Sequence, residues 1–95
     1  MAKPFDPHTM GPLTFHADPS HAWLAVPLNA LEDLGITKKI SRYSYKGKRL
    51  AYLEEDCDAP VFLEAFIAKY SFRPDWKESF SNRRSRIRSM PSYSY

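Results

Sequence analysis

The sequence predicts a small α+β domain: an antiparallel sheet built from two β-hairpins, with room for a fifth edge strand, packed on one short and one long helix. Three observations predict it. Alternating apolar stretches flank turn-forming residues around Asp18 and Gly47, Leu28, Leu31 and Leu34 repeat at helical spacing, and "VFLEAFIAKY" carries apolar residues almost all round a helix. With 95 residues, 43% of them hydrophobic and 15% aromatic, the chain can bury one core but is short for a deep catalytic cleft. Residues 13–80 are assigned to that domain, 1–12 to an extended lead-in and 81–95 to a basic, aromatic carboxy-terminal arm.

The lead-in follows from Pro4, Pro7, Gly11 and Pro12, which deny it helix and strand pairing alike. Asp18, Pro19 and Ser20 suit the first three positions of a type I turn, and "LTFH" and "HAWLAV" on either side have strand composition. A four-residue connection would set His16 opposite His21. Because successive strand residues point to opposite faces, Leu13, Phe15, Ala22, Leu24 and Val26 share a core face, and Thr14, His16, His21, Trp23 and Ala25 share the other.

Pro27 opens a short amphipathic helix over 27–34 that Gly35 ends. "KISRYSY" and "RLAYLEE" then form the second hairpin, whose tip carries Lys46, Gly47 and Lys48. Its register places Tyr43, Tyr45, Leu50 and Tyr52 on one face and Ile40, Arg42, Ala51 and Leu53 on the other. Asp56 and Asp58 supply capping carboxylates, Pro60 lies in the first turn, and the main helix runs over 59–70, mostly buried. "DWKESF" suits an edge strand. "SNRRSRIRSMPSYSY" is too polar to fold alone, so order in it requires docking on the domain or on a partner.

Composition also narrows the function. No apolar run approaches the roughly 20 residues that span a bilayer, and the amino-terminal stretch lacks a signal peptide's apolar segment, so no membrane association and a cytoplasmic location are expected. Cys57 is the only cysteine, which excludes an intrachain disulfide and a multi-cysteine zinc site. The net charge is +3, but six basic residues and no acidic one lie between Lys38 and Arg49, while Leu50 to Glu64 holds five acidic residues and no basic one. A uniformly basic nucleic-acid binder would not be polarised in this way.

His16 and His21 on facing positions, with Asp18 or His8, could approach a metal, but two imidazoles fall short of the three or four ligands zinc takes, so neither a metal nor a cofactor is expected. Cys57 sits among Glu54, Glu55, Asp56 and Asp58, whose charges oppose the thiolate, so it reads as inert. "EEDCD" lacks the ligand spacing of a calcium loop and reads as capping of the helix. Tyr43, Tyr45 and Tyr52 form either a core face or a base-stacking surface, with Lys46, Lys48, Arg49, Arg83, Arg84, Arg86 and Arg88 as the nucleic-acid contacts in the second case. Trp23, on the face least like a core, is the expected anchor of a protein-binding surface, with His16 and His21 beside it. Trp76, Phe80, Tyr93 and Tyr95 add aromatic residues of the kind interfaces enrich.

The strings "FHADPSHAWLAVP", "LGITKKISRYSY" and "YLEEDCDAPVFLEAF" resemble a group of short proteins of bacteriophages, plasmids and proteobacterial genomes that has no established activity. The likeness runs from about Leu13 to Tyr70, and more weakly through "KESFSNRRSRIR". Those relatives tend to carry glycine near Ser20 and Ala22, so a tighter or differently shaped turn is expected here. The resemblance implies a small cytosolic accessory protein of a mobile element that binds and blocks a host machine, anti-CRISPR and anti-restriction action being candidates. The expected function is therefore non-catalytic binding of a host or viral protein, with no enzyme activity; a nucleic-acid-binding module is the alternative. Oligomeric state is left open.

Overall fold

The computed structural model describes residues 5–94; the expectations for residues 1–4 and for Tyr95 lie outside them. The chain runs β1 (Leu13–Ala17), β2 (Ala22–Pro27), α1 (Leu28–Asp33), β3 (Tyr45–Lys46), β4 (Leu50–Glu54), α2 (Ala59–Tyr70), β5 (Trp76–Phe80) and a short 3-10 turn at Arg86–Ser89. The five strands form one sheet in the order β3-β4-β2-β1-β5. The α+β class is as expected, but the sheet is mixed, because β5 lies parallel to β1. The chain leaves β4 through α2 and returns to the far edge, and a helical crossover brings a strand back in its original direction.

The first hairpin keeps the expected faces and changes the expected register. Ala17 pairs with Ala22 and His16 with Trp23, so the two histidines do not stand opposite each other. The cause is Asp18: its backbone N–H donates to the His21 carbonyl at 2.9 Å, and its Oδ1 accepts the N–H groups of Ser20 and His21, both at 3.0 Å. An aspartate that satisfies its own turn in this way closes the connection at Asp18 to His21. A shift of two residues leaves parity intact, so Phe15, Leu24 and Leu53 form one row across the sheet and His16, Trp23 and Glu54 form a row on the opposite face.

The helices cover the first of these faces. Phe62 and Phe66 of α2 are fully buried with Leu24, Val26, Leu31, Leu53 and their neighbours. α2 begins and ends where expected, with Pro60 in its first turn, yet only one stripe of it is buried: Glu64, Ala68 and Lys69 face solvent and Ile67 is partly open. α1 is shorter than the expected helix, since Pro27 ends β2 as extended backbone and Gly35, at φ +68°, turns the chain out. The expected long strand before Lys46 is only Tyr45–Lys46; residues 36–44 form turns that still bury Ile40 and Ser44.

Asp58 explains those turns. Its side chain caps no backbone N–H of α2, contrary to expectation. Instead it accepts Ser41 N–H at 3.0 Å, Ser41 Oγ at 2.6 Å and the Ser44 hydroxyl, while Ser44 Oγ accepts the Glu54 N–H at 3.0 Å. A buried carboxylate must be paired or hydrogen-bonded, and here the two serines satisfy it and tie the 36–44 segment to the start of α2.

The carboxy-terminal segment, expected as an arm, is docked along the molecule as far as Ser94. Ser81 N–H bonds the Ala17 carbonyl at 2.8 Å, Ile87 is buried, Lys46 N–H bonds the Pro91 carbonyl at 3.0 Å, and Tyr93 N–H bonds the Ser44 carbonyl at 2.8 Å. Ser92 makes an antiparallel bridge with Tyr45, so the tail covers the β3 edge. Tyr93 then enters the helix-side core and donates its hydroxyl to the Thr37 carbonyl at 2.6 Å. The β5 edge is uncovered, with all of its residues exposed, Trp76 at 40% and Phe80 at 66%. The described part of the lead-in packs on α2's end, Phe5 6.0 Å from Tyr70 and His8 stacked 5.0 Å from Phe72. Among the described residues no helix is long and apolar enough to cross a membrane.

Candidate functional site

The face of the sheet away from the helices carries the site, and Trp23 is its centre. The expected exposed anchor is in fact 2% exposed, because the tail lies over it. Sequence parity correctly puts Trp23 off the helix-side face; what covers it is Arg88, whose guanidinium carbon sits 5.3 Å from the ring centroid, together with Tyr45 at 6.1 Å in an edge arrangement. His21 flanks the same ring at 6.1 Å. Trp23 Nε1 is buried without a hydrogen-bond partner, an unsatisfied donor of the kind that native proteins rarely retain.

Arg88 is held there by Asp18. Its Nε and Nη2 donate to the two oxygens of that carboxylate at 2.7 and 3.1 Å, a forked geometry, and Ser85 N–H adds a bond to Oδ2 at 3.0 Å. The Arg88 guanidinium first, then the Ser85 N–H, holds the Asp18 carboxyl well below the usual carboxylate range. Asp18 thus closes its own turn and anchors a residue 70 positions away.

Beside Trp23 the surface opens into a cleft of about 320 Å3. Tyr43, 64% exposed, and Tyr45 give it aromatic walls; Glu54, Asp56 and Cys57 line it on the side of the turn that leads into α2. Glu54 Oε2 accepts the N–H groups of Asp56 and Cys57 at 2.9 and 2.8 Å, so Glu54, and neither Asp56 nor Asp58, caps this turn; its Oε1 lies 3.8 Å from His21 Nδ1. The Cys57 thiol is pushed up, first by its hydrogen bond to Glu54 and then by partial burial and the neighbouring carboxylates. A thiol held protonated is a poor nucleophile.

The structure brings together His21 and Trp23 of the expected protein-binding set and leaves His16 outside the cleft, 6.0 Å from Tyr52, where partial burial lowers its pKa. Of the expected nucleic-acid contacts, Arg88 is committed to Asp18 and Lys46 donates to the Ser94 carbonyl at 3.0 Å. Lys48, Arg49, Arg83, Arg84 and Arg86 are exposed. Tyr45 and Tyr52 are half-buried on the non-helical face, so they belong to neither the core cluster nor an open stacking surface. Among the described residues, no three His, Cys, Asp or Glu side chains are placed to hold a metal ion.

Sequence reasoning missed Glu54 and Asp56 as cleft walls. The available signal was register: Tyr45 pairs with Tyr52, and Glu54 lies next to Trp23 across β4 and β2, so all four groups share one face. No family model, curated protein or solved structure matches the chain.

Proposed function

We propose that this protein is a non-catalytic binding module that engages a partner protein through the cleft beside Trp23. One observation carries the reading: the rings of Trp23, Tyr43 and Tyr45 converge with the exposed Asp56 on an open cleft. Rigid rings at the mouth of a small cleft are what protein interfaces use as anchors and sockets. The resemblance of the segment around residues 13–70 to short phage and plasmid proteins supports an accessory role for a mobile element in the host cytoplasm, with blocking of a host machine, anti-defence action included, as its mode.

The test is capture of a partner from host lysate, with and without nuclease, by the parent chain and by the surface variants Tyr43→Ala and Asp56→Lys. These side chains are exposed, so the variants should fold as the parent does. The expected result is capture that survives nuclease and falls about tenfold or more in each variant, the scale of an interface anchor. Capture that vanishes with nuclease transfers the function to the exposed basic residues. Capture indifferent to both variants moves the interface away from the cleft.

A further inference from the structure

The cleft has a chemistry that selects its occupant. Arg88 contributes a positive charge to its wall, but that charge is already matched by Asp18. Glu54 lines the cleft but is buried, and its carboxylate is engaged by the Asp56 and Cys57 N–H groups. The exposed carboxylate of the lining is Asp56, with the rings of Tyr43 and Tyr45 and, as the remaining basic group, His21. Aromatic faces and carboxylates both favour a cation, the first through the ring quadrupole and the second through charge. A volume of about 320 Å3 is at the lower end of ligand pockets and suits one long side chain better than a folded surface.

The fold itself contains the interaction in miniature. Arg88 lies over the Trp23 ring at 5.3 Å and is gripped by a carboxylate in a fork, so aromatic face plus acidic fork is already an arginine site on this side of the sheet. The same lining carries two further rings, Tyr43 and Tyr45, and an exposed carboxylate, Asp56, while its one arginine, Arg88, is committed to Asp18. Resting on the binding-module reading, we propose that the cleft receives an arginine side chain presented by a peptide segment of the partner. The planar guanidinium stacks on tyrosine rings and offers forked donors to the Asp56 carboxylate, which a lysine ammonium does not.

The experiment titrates the 15N-labelled protein with acetyl-Gly-Arg-Gly-amide and with the same peptide carrying citrulline, which keeps the shape and removes the charge. A lysine peptide is the third arm. The expected result is saturable amide shifts confined to the surroundings of residues 21–23, 43–45 and 54–57, in the millimolar range for so short a ligand, with citrulline weaker by about tenfold or more and lysine by about threefold or more. Asp56→Asn and Tyr43→Ala should each weaken the arginine peptide by about threefold or more, and the spectra themselves report whether each variant is folded. Citrulline or lysine binding as tightly as arginine, shifts mapping elsewhere, or no saturable shift at peptide concentrations of about 20 mM overturns the proposal. Loss of partner capture in the cleft variants without arginine-peptide binding would retain the binding module and discard the arginine. Arginine-peptide binding without cleft-dependent capture would do the reverse.

Discussion

The two faces of the sheet are held by different physics. On the helix side, Leu24, Val26, Leu53, Phe62 and Phe66 come from elements that each announce themselves locally by period 2 or 3.6, and their burial is apolar area removed from water. On the other side, Trp23 and Ala25 of β2 and Ile87 of the tail are buried outside the main cluster, and the tail is held by one forked ion pair and a few backbone bonds. Core burial is insensitive to charge state, whereas the forked pair with Arg88 requires an ionised Asp18. The lesson is that a domain can build a cleft on a face whose cover is held by different interactions from those of its core.

Three perturbations would sharpen that contrast. The largest effect is expected from Phe66→Ala, which empties the centre of the helix-side core and should cost about 3–5 kcal/mol in a denaturant titration, with both faces unfolding together. Asp18→Asn should be smaller and one-sided. It removes the charge that grips Arg88, and in a Trp76→Phe background, where Trp23 is the only indole, the emission should shift red and amide exchange should rise over residues 85–93 while α2 stays protected. A fall in melting temperature of roughly 5–10 °C is the expected scale.

Acid should reproduce the same loss in the unaltered chain. The folded state lowers the Asp18 pKa, so its contribution is complete above the ordinary aspartate value of about 4 and drains away as the pH falls below that toward the depressed folded value. Asp33 behaves alike, held down by Tyr70 and then by Lys69, so the Asp18 share is the part of the acid sensitivity that the Asp18→Asn variant lacks. Equal acid sensitivity in variant and parent would show that the ion pair does not secure the tail. The smallest effect is expected from Tyr93→Phe, which deletes the bond to the Thr37 carbonyl and should cost about 1 kcal/mol.

Legibility in the sequence divided along the same line. α2, the Gly35 stop and the parity of β1, β2 and β4 could be read from spacing, because each depends on neighbours within a few positions. The orientation of β5 could not, since it depends on where α2 delivers the chain. The docked tail was hidden for a sharper reason: Ile87 is a lone apolar residue among arginines and serines, and the partner of Arg88 is 70 positions upstream. Trp23 was assigned to the right face and misjudged in exposure because that face has a cover that no local pattern declares. Glu54 was read as one acid in a cluster, while its actual work, holding Asp56 and Cys57 and flanking His21, appears only when β4 is laid beside β2.

Cys57 gives the molecule a built-in attachment point. It is the single thiol of the chain, it is exposed, and it stands on the wall of the cleft. Because Glu54 keeps the sulfur protonated, a maleimide or iodoacetamide reagent should couple slowly near neutral pH and faster in alkali, at one stoichiometric position. A dye installed there would report occupancy of the neighbouring cleft by its own brightness, with no engineered residue.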